Sequence, residues 1–234
     1  MAPPHRTGHR DHAAPATRPP PSAAGPPDPF DRWAATYDTS LLQCLLYQPV
    51  HQAVLRHAHR HAPDPARILD IGCGTGRLLH AAAHTYSHAA MIGTDPSPSM
   101  IRNAAAGPTG GTTARIRFVR ARAEALPFGD ATFDLVLSTL SLRHWHDRWR
   151  GLAEIGRVIA GSGVVILADV LQPRRRSDPR RWLPWASSLP AGVHRAITTA
   201  GLSPDHVETV PLTIPMTTTT LIVARPAPSA LPRS

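Results

Sequence analysis

The sequence predicts an α/β fold: a seven-stranded, mostly parallel sheet with helices on both faces and an antiparallel hairpin at its carboxyl-terminal edge. Two observations carry this. Five short apolar, β-branched segments are each separated by enough residues for a crossover helix, which parallel strands require. Two later strand-like segments are separated by only a few residues near Pro215, which is hairpin spacing.

Taken in order, residues 1–29 are rich in Pro, Ala, His and Arg without apolar periodicity. Such a stretch cannot bury enough surface to offset its ordering entropy and is expected to be a disordered tail. The folded domain is expected over 30–226, opening with a helical cap over 30–62. In that cap Leu41, Leu42, Leu45 and Leu46 make one apolar stripe and Val50, Val54 and Leu55 a second, with Pro49 opening a new helix at its first turn. His57, His59 and His61 alternate at a spacing of two, which on a helix turns the rings in different directions. They are read as a solvated helix end without metal geometry, and no metal site is expected. The five strands are expected at Arg67–Ile71, Met91–Thr94, Ile116–Val119, Phe133–Leu137 and Val164–Val170, and the hairpin at Val207–Leu212 and Thr217–Ala224, after a helix near Val193–Ala200. Residues 227–234 read as a frayed end.

Composition bounds the function. The net charge of +9 suggests nucleic acid, yet all 25 basic residues are Arg, Lys is absent and Asn103 is the only Asn. Lys and Asn have AT-rich codons, so the basicity reads as drift in a GC-rich bacterial genome, and nucleic-acid binding is not expected. The longest apolar run, Val164–Leu171, is interrupted by Asp169 and falls short of the roughly 20 residues that span a bilayer. With no secretory pattern at the amino terminus, the expected location is cytoplasmic. Cys44 and Cys73 are expected to be reduced and buried.

The most informative segment is ILDIGCGTGRLLHAAA, Ile68 to Ala83. A strand runs into Asp70, then Gly72, Gly74 and Gly76 alternate before a helix begins, so the turn can take positive φ and admit a ligand to its backbone. The dinucleotide pattern fails because Arg77 and Leu79 stand where its third glycine would fall, and a phosphate loop fails for want of Lys. Asp95 follows nineteen positions after Gly76, at the carboxyl end of the next strand. A carboxylate there lies beside the glycine loop and can accept both hydroxyls of an adenosine ribose; an Asp that merely caps the next helix is the plainer alternative.

In these residues the chain resembles the class I S-adenosylmethionine-dependent methyltransferases, in particular the branch with the ubiquinone and menaquinone biosynthesis enzymes and many natural-product methyltransferases. The resemblance runs from about Phe30 to Pro226 and is carried by FDRWAATYD, LDIGCGTG, GTDPSPSMI, AEALPFGDATFDLVLS and RVIAGSGVVILADV. It implies the Rossmann-like seven-stranded methyltransferase sheet, with S-adenosyl-L-methionine as cofactor. It also implies that Asp70, Gly72, Gly74 and Gly76 surround the methionine part, that Asp95 holds the ribose, and that Pro96 and Met100 flank the adenine. Ser138 and Thr139 would stand beside the sulfonium, and Tyr37 would cover the site. Leu126, Pro127 and Phe128 would follow the adenine loop. The chain departs from the family pattern at Ala121, Arg122 and Ala123, where relatives usually carry Gly-Asp-Ala. One adenine contact is then lost or rebuilt, with the Ala123 amide serving the ring, at a cost near 1 kcal/mol.

The reaction implied is methyl transfer to an O, N or C atom of a small-molecule acceptor, quinone-like or a secondary metabolite. Where a general base is needed, His144 in SLRHWHD is the candidate, ahead of His146 and Asp147; a loop histidine packed on Trp145 or capping a helix is the alternative. Arg174, Arg175, Arg176, Arg180 and Arg181, with Trp182 and Trp185, form either a lid over the acceptor or a solvated run with two core tryptophans. Two other classes stay open: a nucleic-acid or protein methyltransferase, and a noncatalytic or non-methylating protein on the same fold.

Overall fold

A computed structural model describes residues 47–107, 115–171, 189–212 and 218–228. The expected tail, the first part of the helical cap, Tyr37, Cys44 and the Arg174–Arg181 cluster lie outside the described residues.

The elements run α1 (Gln48–His61), β1 (Arg67–Ile71), α2 (Arg77–Thr85), β2 (Ala90–Asp95), α3 (Pro98–Ala106), β3 (Ile116–Arg120), β4 (Phe133–Thr139), α4 (Arg148–Val158), β5 (Ile159–Asp169), α5 (Ala191–Thr199), β6 (Leu202–Pro211) and β7 (Thr218–Pro226). They build one seven-stranded sheet in the order β3-β2-β1-β4-β5-β7-β6. Strands β3 to β5 run parallel, whereas β7 is antiparallel to both β5 and β6. The strand order reverses between β1 and β4, and in open α/β sheets the crevice at that reversal is where ligands bind.

The central strands are apolar on both faces because both faces are covered. Successive residues point to opposite sides, so Ile68, Leu135, Leu137, Ile166 and Leu221 join one core layer with Val50 and Val54 of α1 and Leu78 and Leu79 of α2. Leu69, Val136, Val165 and Ile222 join the other, with Leu152 and Ile155 of α4 and Ile197 of α5. All of these are buried to within 2% of full burial, so single truncations there cost about 2–5 kcal/mol.

Two strands, β5 and β6, start several residues earlier than the pattern predicts. β5 begins at Ile159 because Ile159 pairs with Phe133 before a register shift, and Gly161 and Gly163 dilute the apolar signal between. β6 begins at Leu202 and carries Pro204, where its pairing with β7 is irregular; an edge strand tolerates a residue with no N–H. A third difference concerns the histidine run. His59 is exposed, but His57 is buried and donates through Nε2 to Oε2 of Glu208 on β6 at 2.7 Å. The spacing of two separates His59 from its neighbours, while the i,i+4 relation keeps His57 and His61 on the side facing β6, where their rings stack 5.8 Å apart. The solvated reading therefore holds for His59 and fails for His57. No described helix is long and apolar enough to cross a membrane.

Candidate functional site

A cleft of about 230 Å³ opens at the carboxyl ends of β1, β2 and β4, at the reversal of strand order. Its floor is the β1–α2 turn. Gly72 and Gly76 take φ of +73° and +77°, and a Cβ on Gly76 would stand 2.6 Å from the Phe118 ring, so close helix-to-strand packing requires glycine there. The turn is tied to β2 by backbone: the Gly72 and Cys73 amides both donate to the Thr94 carbonyl, at 2.8 and 2.9 Å.

Asp95 closes the arrangement. Its Oδ2 accepts from the Gly74 amide at 3.1 Å and its Oδ1 from the Ser97 amide at 2.9 Å. Ser97 in turn caps α3, its Oγ accepting from the Met100 amide at 3.3 Å. The carboxylate is therefore held in one orientation at the cleft, with Pro96 and Met100 presenting apolar surface beside it. On the far side of that wall, the turn bearing Ala121, Arg122 and Ala123 also lines the cleft. The segment that follows this turn is held by Arg157, which donates to the Leu126 and Phe128 carbonyls at 3.1 and 2.7 Å and to Glu154, while Glu154 accepts from the Leu126 amide at 2.8 Å.

Asp70 is placed differently from Asp95. It sits under the turn rather than in the cleft wall, 1% exposed, and neither carboxyl oxygen has a partner among the described residues. Burial first, and the Asp95 carboxylate second, raise its pKa to about 8. Gly76 and Ser138 likewise stay out of the lining; Ser138 Oγ instead pairs with Ser141 Oγ at 2.7 Å. Ser141 donates to the Ile71 carbonyl at 3.1 Å and so ties the segment after β4 to the end of β1. Leu126 is buried behind the cleft. Of the sequence candidates, Gly72, Gly74, Asp95, Pro96, Met100, Arg122, Ala123, Thr139 and His144 line one cleft together.

His144 ends a short 3-10 turn after β4, and its imidazole accepts at Nε2 from Arg143 Nε at 3.0 Å. Arg143 is itself anchored by Asp169 at the end of β5, through its backbone amide at 3.1 Å and its Nη1 at 3.2 Å. Partial burial, and then the Arg143 cation, hold the His144 pKa below its ordinary value.

The opposite wall holds two residues that the sequence reading did not single out, Tyr47 and His51. His51 Nε2 lies 3.5 Å from Thr139 Oγ1, and the Tyr47 ring meets His51 edge-on with centroids 6.2 Å apart. Desolvation first, and Arg77 second, lower the His51 pKa to about 4, so this imidazole is neutral at neutral pH. The available signal was their i,i+4 spacing beside Pro49, which puts both on one face of the helix.

Residues 69–167 match a family described as a methyltransferase domain. A malonyl-(acyl-carrier protein) O-methyltransferase of Geobacter sulfurreducens is 37% identical over 139 residues, 59% of this chain and 50% of that protein. A ubiquinone/menaquinone biosynthesis C-methyltransferase of the same organism is 37% identical over 118 residues, 48% of this chain and 45% of that protein. The matches thus span about half the length of these relatives. The solved 1,6-didemethyltoxoflavin-N1-methyltransferase of Burkholderia thailandensis, with bound 1,6-didemethyltoxoflavin and S-adenosylhomocysteine, shares the fold with a TM-score of 0.63 at 18% identity, over 85% of this chain and 87% of that one.

Proposed function

We propose, from the premise that residues 69–167 are a methyltransferase domain of the class I, S-adenosylmethionine-dependent kind, that the whole protein moves a methyl group to an O, N or C atom of a small-molecule acceptor. The observation that carries this is the fixed Asp95 carboxylate at the mouth of the glycine turn, where it can accept from both hydroxyls of a ribose. The other residues present fit the donor. Pro96 and Met100 offer apolar surface for an adenine, the Ala123 amide would serve the ring's edge, and Gly72 and Gly74 would let the methionine part approach the backbone.

When bound, S-adenosylmethionine supplies a methyl group already activated by its sulfonium. The chain's task is to align and to exclude water. Thr139, His51, Ser141, His144 and Trp145 line the space at the end of β4 where an acceptor would enter. For an acceptor that must lose a proton, His144 is the base: partial burial, and then the Arg143 guanidinium, favour the neutral ring, and His144 takes the proton when Arg143 Nε yields its place at Nε2. A quinone-like or secondary-metabolite acceptor is favoured because Trp145, His51 and His144 offer flat rings to a planar acceptor, and because one of the two relatives above is named for ubiquinone and menaquinone biosynthesis.

The test is incubation of the purified chain with methyl-labelled donor and a panel of phenolic, quinol and heterocyclic acceptors. Label appearing in an acceptor, with one equivalent of demethylated donor, is the expected result. Donor that binds but transfers label to none, while the same panel is turned over by a known methyltransferase, rejects this acceptor class.

A further inference from the structure

Away from the cleft, α1 and the edge strand β6 bring together side chains that methyl transfer does not use. His57 and His61 face β6 from successive turns of the helix, while His206 and Glu208 are two apart on the strand and so share its face. His57 Nε2 lies 2.7 Å from Glu208 Oε2, and His206 Nε2 lies 3.6 Å from the same oxygen. One donor atom from each of the three residues falls within 4.8 Å of the others. The His57 ring stacks on that of His206 with centroids 5.0 Å apart.

We infer that His57, His206 and Glu208 form a binding site for one divalent transition-metal ion, which clamps α1 to β6. Two imidazoles and one carboxylate are the donor set of zinc, nickel or copper, whereas magnesium and calcium take oxygen ligands. A tetrahedral ion with ligands near 2.0–2.1 Å needs donor atoms about 3.3 Å apart. The 3.6 Å separation is already close, and the 2.7 Å one must open by roughly half an ångström. The two strand side chains can make that adjustment, being 43% and 39% exposed, while His57 is fixed by burial at 6%. Water or His61 completes the shell.

One further observation favours a cation here. The neighbouring cation, Arg225, is paired with Asp205 at 3.1 Å, so its charge is partly neutralised. The consequence reaches the cleft. Tyr47 and His51 stand on or beside the same helix, and His57 lies six residues, or about 9 Å, along it from His51. An ion there holds the wall they form.

The experiment uses the untagged full chain, stripped of metal by chelation and titrated with zinc by calorimetry, with cobalt absorption reporting geometry. The expected result is one equivalent bound, with a rise in Tm. In the His206→Ala/Glu208→Gln double variant the affinity falls at least about 100-fold, since loss of outer-shell partners alone costs 10–100-fold. His59→Ala, on the exposed side of the helix, leaves it unchanged. Circular dichroism confirms that the variants are folded; if the double variant is not, Glu208→Gln alone serves, with the same expectation of weakened binding. No stoichiometric step in the parent chain overturns the site. So does a step that survives in the variants, which would assign the ion to other histidines.

Discussion

Arg143 donates from Nε to Nε2 of His144 at 3.0 Å while its Nη1 holds Asp169 Oδ1 at 3.2 Å, so a buried carboxylate at the end of β5 positions a cation on the ring of the candidate base. Burial and then Arg143 hold the His144 pKa below its ordinary 6.5. Arg143→Ala removes the nearer cation, and the imidazole then stays protonated to higher pH. Proton NMR titration of His144 should show its pKa rising, and the acid limb of the rate profile should move upward with it. A pKa that stays or falls would contradict this coupling.

Asp70 makes stability depend on pH. Its pKa in the fold, about 8, exceeds the 3.8 of an unfolded aspartate, so between these values the native state holds a proton that the unfolded chain has released. Its contribution is fully present below about pH 4 and is lost as pH rises through about 8. At about 1.4 kcal/mol per pKa unit the loss is on the order of 5 kcal/mol. Asp70→Asn is neutral throughout and lacks that loss. Urea unfolding of both proteins should therefore show the variant gaining on the parent as pH rises from about 5 to about 9, whereas parallel curves would refute the assignment.

The Arg157–Glu154 pair is predicted to matter more than surface ion pairs do. Their side chains are 31% and 19% exposed, and together they satisfy the backbone amide and carbonyl of Leu126, just beyond the turn that carries Ala123. Arg157→Ala should cost about 2 kcal/mol, lowering Tm by roughly 4–8 °C, and should weaken nucleoside binding through the loosened turn. Differential scanning calorimetry reads the first effect and a product titration the second.

Gly76→Ala should destabilise the fold by on the order of 3 kcal/mol. Positive φ costs about 1–2 kcal/mol for an L-residue, and overlap with Phe118 adds a similar amount. Denaturant midpoints measure this; a loss of only about 1–2 kcal/mol would mean that the ring moves aside freely and only the backbone cost remains.

The central sheet was legible because buried parallel strands leave continuous apolar runs, and Arg67–Ile71 begins and ends where the residues indicated. The early halves of β5 and β6 were not, since Gly161, Gly163 and Pro204 argue locally against strands that pairing partners impose. At the site, residues on the glycine turn and after β2 could be read because motif spacing places them on consecutive strand ends. Asp70 could not be separated from Asp95 in this way: the register puts both on one face of the sheet, and they differ in depth, Asp70 lying inside β1 and buried while Asp95 ends β2 in the cleft wall, a difference that spacing does not encode. His57 and His51 depended on packing between distant segments, and Glu208, 151 residues from His57, carries no signature of its own.

The most direct measurement is calorimetric titration of S-adenosylhomocysteine into the parent chain and into Asp95→Ala. One site per chain is expected in the parent, weakened about 100-fold or more in the variant, because two hydrogen bonds to a charged group are worth about 1.5–3 kcal/mol each. Absence of binding to a folded parent chain, or equal affinity in the two proteins, would contradict a nucleoside pocket built around that carboxylate.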